Sequence, residues 1–142
     1  MAVVEFILDD GFVPEKASDG AAGFDIHSSE SVVIPPGMRM AVGTGVGMAI
    51  PDGFEGQVRP RSGMSFKHGV TVLNAPGTID SDYRGEVKVC LINHGHQPFT
   101  IERGDRIAQL VVSRVEEVYF EEAEELNDTI RGAGGFGSTG VA

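Results

Sequence analysis

Apolar residues in this chain fall in short runs, and no long stretch repeats at the three-to-four spacing of a helix face. The runs lie at 3–8, 32–34, 38–42, 46–50, 54–59, 70–73, 86–93 and 106–115. Turn signals separate them, among them Pro35-Pro36-Gly37, Pro51-Asp52-Gly53, Ala75-Pro76-Gly77 and Glu102-Arg103-Gly104-Asp105. Short apolar runs bounded by such residues predict strands. In the run from Glu86, Val87, Val89 and Leu91 share one face while Lys88, Cys90 and Ile92 share the other. One face is wholly apolar and the other mixed, as in a sheet packed on both sides or at an interface. Residues 62–68 (SGMSFKH) predict a single short helix with Ser62 as its N-cap. The pattern as a whole predicts an all-β protein, a distorted jelly roll or β-barrel with one short helix.

Composition narrows the reading. At 142 residues and 41% hydrophobic content, the chain suits one domain with one core. The expected division is a β core over 1–125 and a flexible, glycine-rich C-terminal arm over 126–142. A formal net charge of −10 counts against a nucleic-acid surface, which needs clustered Lys and Arg. A small phosphorylated ligand needs only a few well-placed cations and is still allowed. Glu116, Glu117, Glu121, Glu122, Glu124 and Glu125 read as a solvated face or loop. No apolar run is long enough to span a bilayer, and MAVVEFILDDG lacks the basic-then-apolar pattern of a signal peptide. Neither a nucleic-acid nor a membrane partner is expected. Cys90, the single cysteine, reads as a small core residue in a reducing, cytoplasmic setting.

The last twelve residues, RGAGGFGSTGVA, carry the most distinctive chemistry. Gly132, Gly134 and Gly137 satisfy a literal G-x-G-x-x-G, but no helix can follow within the five residues left. Ser138 stands where a P-loop needs lysine. The tail is therefore either a linker or a lid. As a lid it offers backbone N–H groups, Arg131, the hydroxyls of Ser138 and Thr139, and the ring of Phe136 to a phosphorylated aromatic ligand.

Four internal segments also stand out. In AAGFDIHSS, Asp25 shares a face with neither Phe24 nor Ile26 and reads as a solvent-facing or turn-capping acid. In RPRSGMSFKHG, Arg61, Ser62 and Gly63 open the helix, either as an anion site or as an ordinary cap. NAPGTIDSDYRGEV reads as a hairpin crowding Asp80, Asp82 and Tyr83 near its end. There Asp80 could act as a general base, with the ring of Tyr83 supporting a sugar, or the tip could be merely polar with Arg84 pairing Asp82. In RGDRIAQLVV, Gln109 is a lone uncharged polar residue that must find partners or face a site. His94 and His96 have ligand spacing on a strand but lie in a loop with no third ligand evident, and His27 and His68 read as surface or turn residues.

Together AAGFD, PRSG, GTIDSDYRG, RGDRIAQL and RGAGGFGSTG resemble, in order, the five motifs of the homotrimeric dUTPase family. Departures are mild: Phe24 where tyrosine is frequent, Met64-Ser65-Phe66-Lys67 after PRSG, and Thr78 for an aliphatic residue. The resemblance implies the β-clip type of jelly roll and hydrolysis of dUTP to dUMP and pyrophosphate. It implies Asp80 as the base activating water for attack on the α-phosphorus, and Mg²⁺ held mainly by the phosphates with Asp25 steering its waters. Arg61, Ser62, Gly63 and Gln109 would contact the phosphate chain. Asn74 and the backbone from Thr78 through Ile79 to Asp80 would read the uracil edge, Gly77 would also bind substrate, Tyr83 would lie beneath the deoxyribose, and Lys88 is a further ligand candidate. Phe136 would stack on uracil while Arg131, Gly137, Ser138 and Thr139 close over the phosphates. Each site would combine three subunits of a homotrimer. A dCTP deaminase, alone or bifunctional, and a non-catalytic nucleotide-binding regulatory trimer are the alternative readings.

Overall fold

The computed structural model describes residues 1–141. Ten strands and one helix follow in the order β1 (Glu5–Leu8), β2 (Phe24–His27), β3 (Val32–Ile34), β4 (Arg39–Ala49), β5 (Phe54–Arg59), α1 (Ser62–His68), β6 (Val70–Val72), β7 (Gly77–Ile79), β8 (Glu86–Asn93), β9 (Phe99–Ile101) and β10 (Arg106–Arg114). They form two four-stranded sheets, β1-β4-β8-β6 and β2-β10-β5-β7, and a two-stranded β3-β9 ribbon. The fold is all-β and jelly-roll-like, as expected, but the sheets do not close into a barrel. One keeps β1 and β6 as edges, the other β2 and β7.

Period-two alternation builds the core. From β8, Val87, Val89 and Leu91 enter it, and β10 and β5 supply Ala108, Leu110 and Val58 from the other sheet. Ile34 and Ile101 close one end from the ribbon, and Met64 is the one residue α1 buries. The same alternation corrects the placing of Cys90. It sits half-exposed on the opposite face of β8, beside Lys88 and Ile92 in sequence parity, and outside the core.

The runs 38–42 and 46–50 prove to be one strand, β4, interrupted by a bulge between Gly43 and Gly47. Gly45 adopts φ +66 there, a conformation that disfavours side chains. The expected hairpin at 74–87 is also corrected. β6 pairs with β8 while β7 pairs with β5, so the Asn74–Pro76 turn carries the chain from one sheet to the other. Ser62 is the first helical residue, not the cap. Arg61 keeps extended dihedrals (φ −90, ψ 129) at the cap position, with no side-chain bond to the helix. β2, β7 and β9 are short strands whose sequences give little periodic signal.

Asn93 is fully buried and satisfied on every side. Its amide nitrogen donates to the carbonyls of Ile34 (2.9 Å) and Gln97 (2.8 Å), and its oxygen accepts the N–H of Gly95 (2.8 Å). It joins β8, the end of β3 and the loop into β9. Replacing it with alanine removes the partner of the buried Ile34 carbonyl and of the part-buried Gln97 carbonyl and Gly95 N–H. Asn93→Ala is expected to lower unfolding free energy by roughly 2–4 kcal/mol, read as a fall in the urea midpoint with an unchanged slope.

Candidate active site

The outer face of the β2-β10-β5-β7 sheet is polar. Gln109 of β10 stands in register with Asp25 of β2 on one side and Arg59 of β5 on the other. Partners across an antiparallel ladder share a face, so the three side chains form one row. Asp25, 17% exposed at its side chain, lies between two guanidinium groups: Arg61 Nε is 3.9 Å from Oδ1 and Arg106 Nη1 is 3.5 Å from Oδ2. Arg61 also donates through Nη1 to the Arg106 carbonyl at 3.1 Å. Gln109 is not left unpaired, since its Nε2 donates to the Pro60 carbonyl at 3.1 Å. Arg61 and Gly63 border a cleft of about 370 Å³ with Lys67, Asp105 and Arg106, and Ser62 is exposed at the helix start beside it. This end of the sheet is a cationic shelf suited to phosphate oxygens.

A second cavity, of about 240 Å³, opens elsewhere on the molecule. Its lining includes Asn74, Gly77, Thr78, Ile79, Asp80, Tyr83 and Lys88, together with Val58, Glu86 and Cys90. Asp80 is exposed at the end of β7. Tyr83 folds back so that its hydroxyl donates to the Glu86 carbonyl at 2.8 Å. That pose needs glycine at position 85, because a Cβ there would collide with the phenol ring. Arg84 does not pair with Asp82 as the sequence allowed. Its Nη1 donates instead to the carbonyls of Ser81 (2.7 Å) and Tyr83 (3.0 Å), bracing the loop from within.

The two half-sites share no lining residue. Strand register sets Asp80 apart from the shelf. β5 pairs with β7 so that Gly56 faces Ile79, which brings Asp80 level with Glu55, whereas Arg59 closes the opposite end of β5. Four residues of strand separate those levels, about 13 Å at ~3.3 Å per residue, and Arg61 lies two residues further on. Within one chain the structure groups Asp25, Arg61, Gly63 and Gln109 on the shelf. It groups Asn74, Gly77, Thr78, Ile79, Asp80, Tyr83 and Lys88 around the separate cavity, with Gly77 opposite Val58 and Asp80 at the far end of β5.

The arm joins neither group. Beyond β10 the described residues form no strand or helix, and the hydrogen bonds at Arg131, Gly132, Gly134, Ser138 and Gly140 all run within the arm. Arg131 Nε donates to the Gly134 carbonyl at 2.7 Å, and Phe136 is 113% exposed. Gly137, Ser138 and Thr139 are exposed in turns.

No group of three His, Cys, Asp or Glu side chains among the described residues is placed to hold a metal ion. A divalent ion here would have to take most of its oxygens from a ligand, and Asp25 is a carboxylate of the cationic shelf that could face its waters. His27 also departs from the sequence reading. It lies half-buried in β2 with its ring 5.5 Å from that of Phe12, and its Nδ1 is buried without a partner. Sequence reasoning passed over Arg106 and Glu86. Both lay inside quoted motifs, and the signal for Arg106 was a cation opening an otherwise apolar run.

A dUTPase family model matches residues 9–140. The deoxyuridine 5'-triphosphate nucleotidohydrolase of Nautilia profundicola is 57% identical over 137 residues, covering 96% of both chains. That of Wolinella succinogenes is 59% identical over 128 residues, covering 90% of this chain and 86% of the relative. Among solved structures, the dUTPase of Staphylococcus bacteriophage 80alpha with dUpNHpp has a TM-score of 0.89 at 28% identity, covering 98% of this chain and 99% of that one. A mutant dUTPase of the S. aureus phage phi11, described with a structural Mg(II) ion, has a TM-score of 0.80 at 25% identity over 87% and 97%. Matched over nearly its whole length, the chain belongs to the dUTPase family.

Proposed function

We propose that this protein hydrolyses dUTP to dUMP and pyrophosphate, keeping uracil out of DNA. The observation that carries the reading is the cavity in which an exposed Asp80 stands beside Tyr83, Asn74 and the β7 backbone. Its 240 Å³ is below the ~300–1,000 Å³ of complete ligand pockets, as befits a site with missing walls.

In this reading Asn74 and the backbone of Gly77, Thr78 and Ile79 bind the uracil edge, and the ring of Tyr83 lies under the deoxyribose. A 2′-hydroxyl pressed on that ring would lose water without gaining a partner, at a cost of about 1–3 kcal/mol. Asp80 accepts a proton from the water that attacks the α-phosphorus. Arg61, Ser62, Gly63 and Gln109 orient the phosphate chain, and Lys88 borders the nucleoside. Phosphoryl transfer asks the protein mainly for positioning and charge stabilisation, which these donors supply. Bound Mg²⁺, held chiefly by the phosphates with Asp25 facing its waters, would neutralise charge along the triphosphate.

We read the working enzyme as a homotrimer in which each site takes the Asp80 cavity from one subunit, the arginine shelf from a second and the arm from a third. The register separation of Asp80 from Arg61 within one chain supports this, as do exposed apolar residues in the segment after β10: Val118, Tyr119, Phe120, Leu126 and Ile130. Over that site Phe136 would stack on uracil, with Arg131, Gly137, Ser138 and Thr139 on the phosphates. No helix of the described residues is long and apolar enough to cross a membrane. With its one cysteine the protein suits the cytoplasm.

The deaminase alternative needs a free carboxylate beside the base. Glu86 lines the cavity, but its Oε2 is turned onto the Thr44 and Gly45 amides, which weighs against that chemistry.

Pyrophosphate release assayed in parallel on dUTP, dTTP, dCTP and UTP, with and without Mg²⁺, should single out dUTP with Mg²⁺; ammonia from dCTP would overturn the assignment. Asp80→Asn should lose at least about a thousandfold in kcat while calorimetry still registers dUTP binding; wild-type turnover by this variant would exclude Asp80 as the base. Mixing inactive Asp80→Asn with inactive Arg61→Ala chains and refolding them together should restore part of the activity, because some mixed sites draw an intact Asp80 and an intact Arg61 from different subunits. No recovery would argue for sites built within one chain. Deleting residues 131–142 should leave the oligomer intact by sedimentation but nearly inactive, and full activity would make the tail a linker.

A further inference from the structure

The side chain of Glu86 takes no part in the chemistry above, yet it stands where two parts of the fold meet. Its Oε2 accepts the backbone N–H of Thr44 and of Gly45, each at 3.1 Å. These amides belong to the β4 bulge, where the register with β8 slips and ladder partners are lost. The bulge is itself anchored: the Thr44 hydroxyl donates to the Val87 carbonyl, and the Gly45 carbonyl accepts Asp9 N–H at 2.8 Å. On its other side the Glu86 backbone carbonyl receives the Tyr83 hydroxyl at 2.8 Å. Both Glu86 and Tyr83 line the cavity that holds Asp80. An unbroken chain of hydrogen bonds therefore runs from the buried bulge, through one residue, to the phenol of the cavity wall.

We propose that Glu86 is a positioning residue that ties Tyr83 to the β4 bulge and thereby sets the preference for deoxyribonucleotides over ribonucleotides. The inference rests on the reading of Tyr83 as the floor under the sugar. One ionised oxygen accepting two amides makes charge-assisted bonds that hold the start of β8 in place. Without them, two N–H groups at the bulge lose their partners and the Glu86 backbone can shift. The acceptor that fixes the Tyr83 ring shifts with it. A ring free to give way no longer penalises a 2′-hydroxyl, so selectivity falls further than the fold is weakened. A glutamine oxygen can accept the same two amides, whereas alanine cannot.

The test compares kcat/KM for dUTP and for UTP in wild type, Glu86→Ala, Glu86→Gln and Tyr83→Phe, with amide hydrogen exchange over 44–45 and 81–86. Glu86→Ala should cut the dUTP-to-UTP ratio about tenfold or more and speed exchange in both segments. Glu86→Gln should stay within about twofold of wild type, and Tyr83→Phe should lower the ratio as well. A folded Glu86→Ala with an unchanged ratio overturns the proposal, as does a Glu86→Gln as impaired as the alanine variant. If Glu86→Ala does not fold, an unchanged ratio in Tyr83→Phe overturns it instead. Should the wild type fail to hydrolyse dUTP, the functional reading falls on its own. The link is then judged by exchange alone: faster exchange over 44–45 and 81–86 in Glu86→Ala supports it, and unchanged exchange overturns it.

Discussion

β5 is hydrogen-bonded along one edge to β10 and along the other to β7, and this double pairing fixes the distance between the two halves of the nucleotide machinery. β10 brings Gln109 level with Arg59, next to the turn that presents Arg61. β7 brings Asp80 out at the other end, near Glu55. A strand paired on both edges cannot shorten. Asp80 could approach Arg61 only by giving up the three β5–β7 residue pairs and the burial of Ile79. The β5 pairings thus hold Asp80 and the arginine shelf apart within one chain, which is the constraint that the proposed sharing of a site between copies would answer.

Charge follows the same division. The chain carries a net −10, which taken as a uniform field would oppose a triphosphate. Screening limits such a field to about 8 Å at physiological salt, so the local balance decides. On the shelf that balance is positive, because Arg61 and Arg106 flank Asp25, with Arg59 in the same row. Asp25 is nonetheless useful to the cations. Its two oxygens lie 3.9 Å from Arg61 Nε and 3.5 Å from Arg106 Nη1, so it offsets the repulsion between two guanidinium groups that would otherwise splay. Much of the negative charge is placed on the strand-free segment after β10, where residues 116–125 are exposed to solvent.

How much of this was legible in the sequence depended on how local each feature is. Strands such as β5 and β8 showed themselves because apolar alternation and Pro-Gly punctuation are read within a few residues. β4 looked like two strands, since a bulge is seen only when the partner strand is known. The segment around Pro76 looked like a hairpin because local sequence gives strand character without saying which sheet a strand joins. Asn93 gave no signal at all, as one of its partners, the Ile34 carbonyl, lies 59 residues away. The site residues were legible as an ordered set of motifs, whereas their division into two groups needed the register of β5. Arg106 and Glu86 escaped notice because what distinguishes them is a partner far away in the chain: Asp25 for one, the bulge amides for the other.

The arm completes the physical argument. Ordering a dozen residues costs on the order of 1–2 kcal/mol each in backbone entropy, and glycine costs more than most. Against that, Arg131 now spends a donor on the Gly134 carbonyl, and the Phe136 ring is fully exposed. A closed arm would exchange these for charge-assisted bonds of about 1.5–3 kcal/mol each and burial of one aromatic ring. The cost is not covered by one or two such bonds, so closure should depend on how many phosphate oxygens are present to be bound. A monophosphate offers few and a triphosphate offers many. In the proposed closed site, an arm this costly to order would act as a counter of phosphates, closing on a triphosphate and reopening once the nucleotide is cut from pyrophosphate. The glycines that make it look like a linker are what keep the threshold high enough for that distinction.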